Sequence, residues 1–534
     1  MKFSYRLNKI CGQIYSNGNL LFTSDGNAVI SAIGNHINIY DLVKQNVITL
    51  PFENNHDIDC LAISHNGKFL ISVDVHGHAL FINITRQVIL HRFHFKHRVY
   101  SLKFSPNDEM FALTHNNGCQ IWYTPSTRRE FCPFRLNRNL SGGYHDETTS
   151  LDWSSDSRSL IIGSKDLSTR VFHKIRSRFM STSILSGHRD IILGAFFSNT
   201  NQEAYTVARD GAVFTWSYDE VVVEEAAATV DSSSDGIEQE AKKMKKNTKH
   251  HHHRRLKNKN SHDDDEIHEE RDDGNDNSDG DEEDDDDDDS SDDDEDVPDK
   301  TLTVGKIVEK KRRWALRERE FLWDPQTIVS SVDFNKLTQL LVVGFSSGVF
   351  GLYEMPGCIN LHRLSISTHT ITSVSINSTG EWLAIGSSQL GQLLVWEWKS
   401  ESYVLKQQGH LYGLNTIDYS SDGQFIATGG EDGKVKLWNT ISGFCFITFS
   451  EHIAPVTGVK FVGKGLGKAI ISASLDGTIR AHDLLRYRNF RTLTTPEPVQ
   501  FTCLAVDSSG EVVCAGALDP FNIYVWALQT GAYY

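Results

Sequence analysis

Hydrophobic and polar positions alternate in short bursts along this chain, and each burst ends in a turn. Residues 409 to 438 show the pattern most clearly. Gly409-His410 precedes an alternating run, Asn415-Thr-Ile-Asp-Tyr419, and Ser421-Asp-Gly423 turns the chain. Phe425-Ile-Ala-Thr-Gly429 runs back, Asp432-Gly433 turns again, and Val435-Lys-Leu-Trp438 closes the unit. Period-two alternation over four to six residues, bounded by Ser, Asp, Asn and Gly, predicts antiparallel strands and an all-β fold.

The unit repeats. Its last strand ends on an aromatic or equivalent residue at Tyr40, Ile82, Trp122, Phe172 and Trp216, then at Tyr353, Trp396, Trp438, His482 and Trp526. The steps are 42, 40, 50 and 44, then 43, 42, 44 and 44, with one gap of 137 between Trp216 and Tyr353. A four-stranded unit of this period resembles the WD40 repeat, which implies β-propeller blades. Ten units exceed the number that closes one ring, so the chain divides. Residues 1–400 are expected to form a seven-bladed propeller, and residues 401–534 the first three blades of a second, incomplete one. The division rests on the polar segment Lys399 to Lys406 after the seventh landmark, and Lys2-Phe-Ser-Tyr-Arg-Leu7 alternates as a strand that would complete the last blade. Three blades alone would expose an apolar face and open strand edges, so 401–534 is expected to be poorly soluble by itself and the chain to be a shortened product.

Three repeats carry polar residues at the offsets of the WD40 structural tetrad: His188, Thr206, Asp210 and Trp216; His410, Thr428, Asp432 and Trp438; and His452, Ser472 and Asp476, with His482 where tryptophan would stand. A hydroxyl, an imidazole and a carboxylate also make a nucleophilic triad. An active site occurs once, whereas this set recurs blade after blade, so the residues are read as links between strands. With no Gly-rich phosphate loop, metal-ligand spacing or unique triad, no enzyme, cofactor or small-molecule substrate is expected.

The net charge of -17 is local. Asp263 to Asp299 holds 25 acidic residues and one arginine, so this stretch carries -24 and the rest of the chain +7. Residues from about 220 to 305 lose the strand pattern and read as a disordered insertion, basic and then acidic. Lys242, Lys243, Lys245, Lys246, Arg254 and Arg255 form a candidate nuclear-import cluster, or else balance the acidic run. His250 to His253 lie among cations that repel a metal ion and are read with the basic tract. Ser290 and Ser291, ahead of Asp292 to Asp296, are candidate phosphorylation sites. Lys306 to Trp323 returns to order as an outer strand or a short helix, with Lys310 to Arg313 as a second import or RNA-contact cluster or a solvated surface. Eight cysteines without a C-x-x-C pair suit a reducing compartment. No apolar run is long enough to span a bilayer, and a soluble intracellular protein without membrane partners is expected.

More specific strings narrow the family. The segment from Leu390 to His410, His145-Asp-Glu-Thr-Thr-Ser150, Asn439-Thr-Ile-Ser-Gly-Phe-Cys445 and Arg486-Tyr-Arg-Asn-Phe-Arg491 resemble the periodic tryptophan protein 2 family of WD40 proteins. The likeness extends over essentially the whole chain, acidic insertion included. It implies a nucleolar scaffold of the small-subunit processome, with other WD40 proteins of the same subcomplex, the U3 small nucleolar ribonucleoprotein and pre-ribosomal RNA as partners. A WD40 ring with an acidic loop also admits a histone chaperone or chromatin adaptor as the alternative.

Overall fold

Each polar turn sends an alternating run back along the one before it, and the chain does this until a four-stranded antiparallel sheet is complete, then begins another. The computed structural model describes residues 7–125, 133–140, 145–173, 182–224, 308–322, 328–463 and 469–532, with the backbone alone described at 220–224 and 308–312. Residues 1–219 with 313–534 make one compact unit. Among the described residues there are ten sheets, nine of four strands and a last one of three, and in each the strands lie side by side in sequence order. This is a WD40 β-propeller architecture, and the periodic landmarks all fall on third strands, from Tyr40 in His36–Asp41 to Trp526 in Ile523–Ala527. Sheet five brackets the insertion: its third strand is Ala212–Glu224 and its fourth Val308–Phe321, which settles the choice between strand and helix after residue 306.

Neighbouring sheets pack face to face through apolar positions of alternating strands. Leu151 and Trp153 of sheet four close on Met110 and Ile121 of sheet three, and Phe196 and Tyr205 of sheet five on Phe334 and Leu341 of sheet six. A repeated polar device accompanies this packing. In eight sheets the first strand bulges by one residue against the second, at Asp59, Tyr100, Thr149, Leu193, Ser330, Asn415, Thr457 and Thr502. A bulge re-aims a side chain. Here Thr149, Ser330, Asn415 and Thr457 each donate to a backbone carbonyl at the start of the following sheet, those of Ile192, Ile371, Val456 and Phe501. The residue after the bulge accepts in return: Ser331 Oγ from the Val374 amide at 3.0 Å, and Thr416 Oγ1 from the Val459 amide at 3.3 Å.

The same bond joins sheet seven to sheet one. Ser373 Oγ accepts the Leu20 amide at 3.0 Å, so Leu20 stands to sheet seven as Val374 stands to sheet six. Thr372 Oγ1 donates to the Tyr15 hydroxyl, and Leu20, Phe22 and Val29 share one apolar cluster with Ala384, Leu393 and Val395. Sheet eight meets this cluster from outside, through Trp438. Its third-to-fourth-strand turn lies on the outer part of sheet one, where the Val47 amide donates to the Ser442 carbonyl at 2.8 Å and Tyr40 stacks on Phe444. Gln407 fixes the junction by bonding both the amide and the carbonyl of Cys445.

One expected boundary moves. The fourth strand of sheet seven is Ser402–Gln408, paired along Gln392–Glu397, so the segment expected to separate the rings at residue 400 is itself mostly strand. An outer strand has a solvent face, and that face made the segment look like a linker. Of the N-terminal run expected to complete the last blade, Lys2 to Arg6 lie outside the described residues and Leu7 is not in a strand.

Candidate functional site

In sheet eight the four tetrad residues are joined end to end. Trp438 Nε1 donates to Thr428 Oγ1 at 2.9 Å, Thr428 Oγ1 lies 2.8 Å from His410 Nε2, and His410 Nδ1 lies 3.0 Å from Asp432 Oδ1. One proton assignment satisfies every group: indole to hydroxyl, hydroxyl to Nε2, and Nδ1–H to carboxylate. Burial works against the Asp432 carboxylate, but His410 and the amides of Lys434 and Leu411 outweigh it and hold it below the ordinary carboxylate range. The hydroxyl is enclosed between an imidazole and an indole, which makes it a tie between strands rather than an exposed nucleophile.

Sheet five brings together three of its four. His188 Nε2 lies 2.7 Å from Thr206 Oγ1, which accepts from Trp216 Nε1 at 2.9 Å, and the imidazole stacks on Phe214. Asp210 instead accepts the Ala212 amide, and His188 Nδ1 has no partner among the described residues. Burial pulls the imidazole down to about 4, Asp210 opposing and Arg319 adding to the fall. In sheet nine, His452 bonds Asp476 Oδ2 at 2.9 Å and Ser472 Oγ at 2.8 Å. His482 occupies the tryptophan place, fully buried, with Nε2 at 3.3 Å from Ser472 Oγ and the ring stacked on Phe449. Burial drives its pKa down to about 3, so the ring is neutral and its Nδ1, 3.4 Å from Glu451 Oε2, gains no proton to share.

Sequence reasoning missed a second polar group, at the end of the ring where first and second strands turn. A cavity of about 450 Å³ there is lined by first-strand and turn residues of sheets one to six. Its polar lining is Lys103, Asp152 and Lys336 together with His65, Ser155 and Asn199. Lys336 Nζ lies 2.7 Å from Asp152 Oδ2 and also donates to the Trp153 carbonyl, while Lys103 Nζ lies 3.2 Å from Asp152 Oδ1. The Phe197 amide of the next sheet donates to Asp152 Oδ2 at 3.1 Å. Burial disfavours the Asp152 carboxylate, but Lys336 and Lys103 outweigh it and keep it ionised below its usual range. Asp333 makes the same link one sheet pair on, accepting the amides of Phe334 and Ile376, as does Asp418 from Phe461. These three carboxylates precede an aromatic at the same strand position, as Asp152-Trp153, Asp333-Phe334 and Asp418-Tyr419, a signal that could have found them.

Among the described residues no group of His, Cys, Asp and Glu is arranged to hold a metal ion, and no helix is long and apolar enough to cross a membrane. The import cluster at Lys242, Lys243, Lys245, Lys246, Arg254 and Arg255, the histidines 250–253 and the candidate phosphorylation sites Ser290 and Ser291 lie outside the described residues.

The comparisons agree with the repeat grammar. Residues 401–439 match the family model described as WD domain, G-beta repeat. The chain is 42% identical to "Periodic tryptophan protein 2 homolog" of Mus musculus over 99% of its own length and 53% of the relative's. It is 39% identical to "Periodic tryptophan protein 2" of Saccharomyces cerevisiae over 99% of the chain and 50% of that protein. A shorter stretch, 26% of the chain, is 30% identical to "Pre-rRNA-processing protein IPI3" of Meyerozyma guilliermondii. The chain spans about half the length of the curated relatives it matches along its whole extent.

Proposed function

We propose that this chain, which belongs with the periodic tryptophan protein 2 proteins of the WD40-repeat class, is a non-enzymatic scaffold for ribosome synthesis, acting in the small-subunit processome of the nucleolus. The observation that carries the reading is the likeness to those proteins along 99% of this chain, over about half of their own length. The shorter likeness to a protein named for pre-ribosomal RNA processing points the same way. The geometry is compatible with it. The His, Ser or Thr, and Asp residues that would serve a hydrolase are bonded to one another between strands. What sheets present outward is surface, which suits a protein that holds partners together.

On this reading the partners are other WD40 proteins of the same subcomplex, the U3 small nucleolar ribonucleoprotein and pre-ribosomal RNA. Sheets one to seven form the closed ring and sheets eight to ten begin a second. Support for the division is the Leu20 to Ser373 bond and the apolar cluster around it. The test is to crosslink the tagged chain to RNA in cells and sequence the bound fragments. Enrichment of U3 and of the leading spacer of the ribosomal transcript is expected. Recovery of histones in their place, lost on deletion of residues 263–299, would turn the reading to a chromatin adaptor.

A further inference from the structure

We propose that the outer turn of sheet nine, Arg486-Tyr487-Arg488, with Phe446 of sheet eight beside it, binds a short unpaired stretch of RNA, stacking bases on its rings and holding phosphates with its arginines. The inference rests on the ribosome-assembly reading for RNA as the class of partner, and adds the surface that meets it. Three observations converge. The first is the backbone. Four residues join the third strand of sheet nine, Thr478–Asp483, to the fourth, Arg488–Thr494, and the last of them, Tyr487, has a φ of 52°. The same place in sheets one, two, six and seven is held by Gln45, Gln87, Cys358 and Glu401, all with positive φ. The turn thus imposes a left-handed residue, which side chains adopt at a steric cost. In sheet nine that residue is an aromatic standing 53% exposed.

The second is a pair of bulges. On the fourth strand of sheet eight, Cys445 and Ile447 pair with Trp438 and Leu437 and leave Phe446 unpaired between them. On that of sheet nine, Asn489 and Arg491 pair with His482 and Ala481 and leave Phe490. A bulge re-aims its side chain, and both rings come out to solvent, 41% and 48% exposed. Phe446 is held between Phe425, 5.3 Å away between ring centroids, and Tyr487, which it meets edge-on at 6.3 Å. The third is charge. Arg486 and Arg488 flank Tyr487, both exposed, and among the described residues neither guanidinium takes part in an ion pair or hydrogen bond. Asp483, opposite Arg488 in the strand pair, accepts the Leu485 amide at 2.8 Å. With Arg491, which lies against Gly531 of sheet ten, residues 483–491 hold three arginines to that one acid. Rings and cations that alternate along one segment match an RNA strand, whose bases and phosphates alternate. A duplex fits less well, since its bases are already stacked on one another. An acidic peptide would engage the arginines and leave the rings without a use.

The full chain is titrated, at about 0.15 M salt, into a labelled single-stranded oligouridine, and binding is read by fluorescence anisotropy. Ultraviolet crosslinking followed by peptide mapping locates the contact, and crosslinks are expected on Tyr487, Phe446 or Phe490. Tyr487→Gly takes away the ring, suits the left-handed backbone and so keeps the fold; it should weaken binding about tenfold. Gln87→Gly, at the same turn position of sheet two, should change nothing. Arg486→Gln combined with Arg488→Gln should lower the slope of log affinity against log salt by about 1.4, two phosphate contacts at about 0.7 each. A polyglutamate peptide at matched charge should fail to displace the RNA, as should a short RNA duplex. No binding, crosslinks confined to other segments, unchanged affinity in Tyr487→Gly, an unchanged salt slope in the arginine pair, or displacement by polyglutamate or duplex would each overturn the proposal. If these results hold while crosslinking in cells recovers no pre-ribosomal RNA, the ribosome-assembly reading falls and the surface stands as an RNA site. The opposite pattern removes the surface and leaves that reading in place.

Discussion

Sheets four and eight are built from the same grammar and live in different surroundings. The first strand of sheet four, Thr148–Trp153, is packed on both sides, and Leu151 and Trp153 are 1% and 2% exposed. The first strand of sheet eight, Leu414–Tyr419, presents Ile417 and Tyr419 at the corresponding positions, and they are 64% and 57% exposed. Both strands carry an acidic residue that bonds an amide of the next sheet, Asp152 to Phe197 and Asp418 to Phe461. Repeat grammar alone therefore fixes how a sheet is made. Whether its apolar face stabilises anything depends on the presence of a preceding sheet, and the described residues place none against the first strand of sheet eight. Stability should be distributed accordingly, with sheets one to seven rigid and the outer face of sheet eight permissive.

The sharpest test of that contrast is the charge at matching positions. Asp152→Ala removes the buried carboxylate shared by the partly buried Lys336 and the 40% exposed Lys103 and is expected to cost about 2–3 kcal/mol. Asp418→Ala, where the Lys460 partner is half exposed, should cost about 1–2 kcal/mol. Native-state hydrogen exchange in the two strands would read the difference, and equal losses would break the comparison. The apolar positions come next. Leu151→Ala should cost about 2–5 kcal/mol, and Ile417→Ala should stay within about 0.5 kcal/mol of the parent in urea unfolding.

Acid acts on both regions through buried imidazoles, His188 of sheet five and His482 of sheet nine. His482 is neutral in the folded sheet, with its pKa pressed down to about 3, while the unfolded chain protonates near the ordinary histidine value. A depressed imidazole gives stability that is present above the unfolded pKa and is lost as pH falls below it. Sheet nine should therefore weaken between about pH 6.5 and pH 3, by about 2 kcal/mol at about pH 5. His482→Trp, which restores the aromatic of the other tetrads, should remove the His482 share of the slope in unfolding curves taken across the range and leave that of His188. The link from sheet seven to sheet one is tested in the same way: Ser373→Val strands the Leu20 amide and should cost about 1–2 kcal/mol. Protease cleavage near Tyr15 should rise in that variant, while Thr416→Val, at the equivalent place in sheet eight, leaves that site untouched.

Much of the fold was legible because its signals are local. Trp438, Thr428 and His410 keep fixed offsets within one repeat, and they meet as those offsets predict. Asp210 sits at the same offset as Asp432 and takes the same amide two residues on, that of Ala212, but it does not make the bond to the imidazole that Asp432 makes. The cavity charges were not legible, since Lys103, Asp152 and Lys336 come from sheets three, four and six and are brought together only by curvature around the ring. The boundary near residue 400 was misplaced because Ser402–Gln408 alternates exposed and buried positions, and its solvent face reads as linker.

The bond from Leu20 to Ser373 spans 353 residues. During synthesis at roughly 5–20 residues per second, sheet one leaves the ribosome some tens of seconds before its partner exists. Throughout that interval Leu20, Phe22 and Val29 have no sheet seven to cover them, and the residues between sheet five's third and fourth strands lengthen the delay. Chaperone dependence should therefore concentrate on the nascent chain before about residue 400 has emerged, and shortening the segment between Glu224 and Val308 should reduce it.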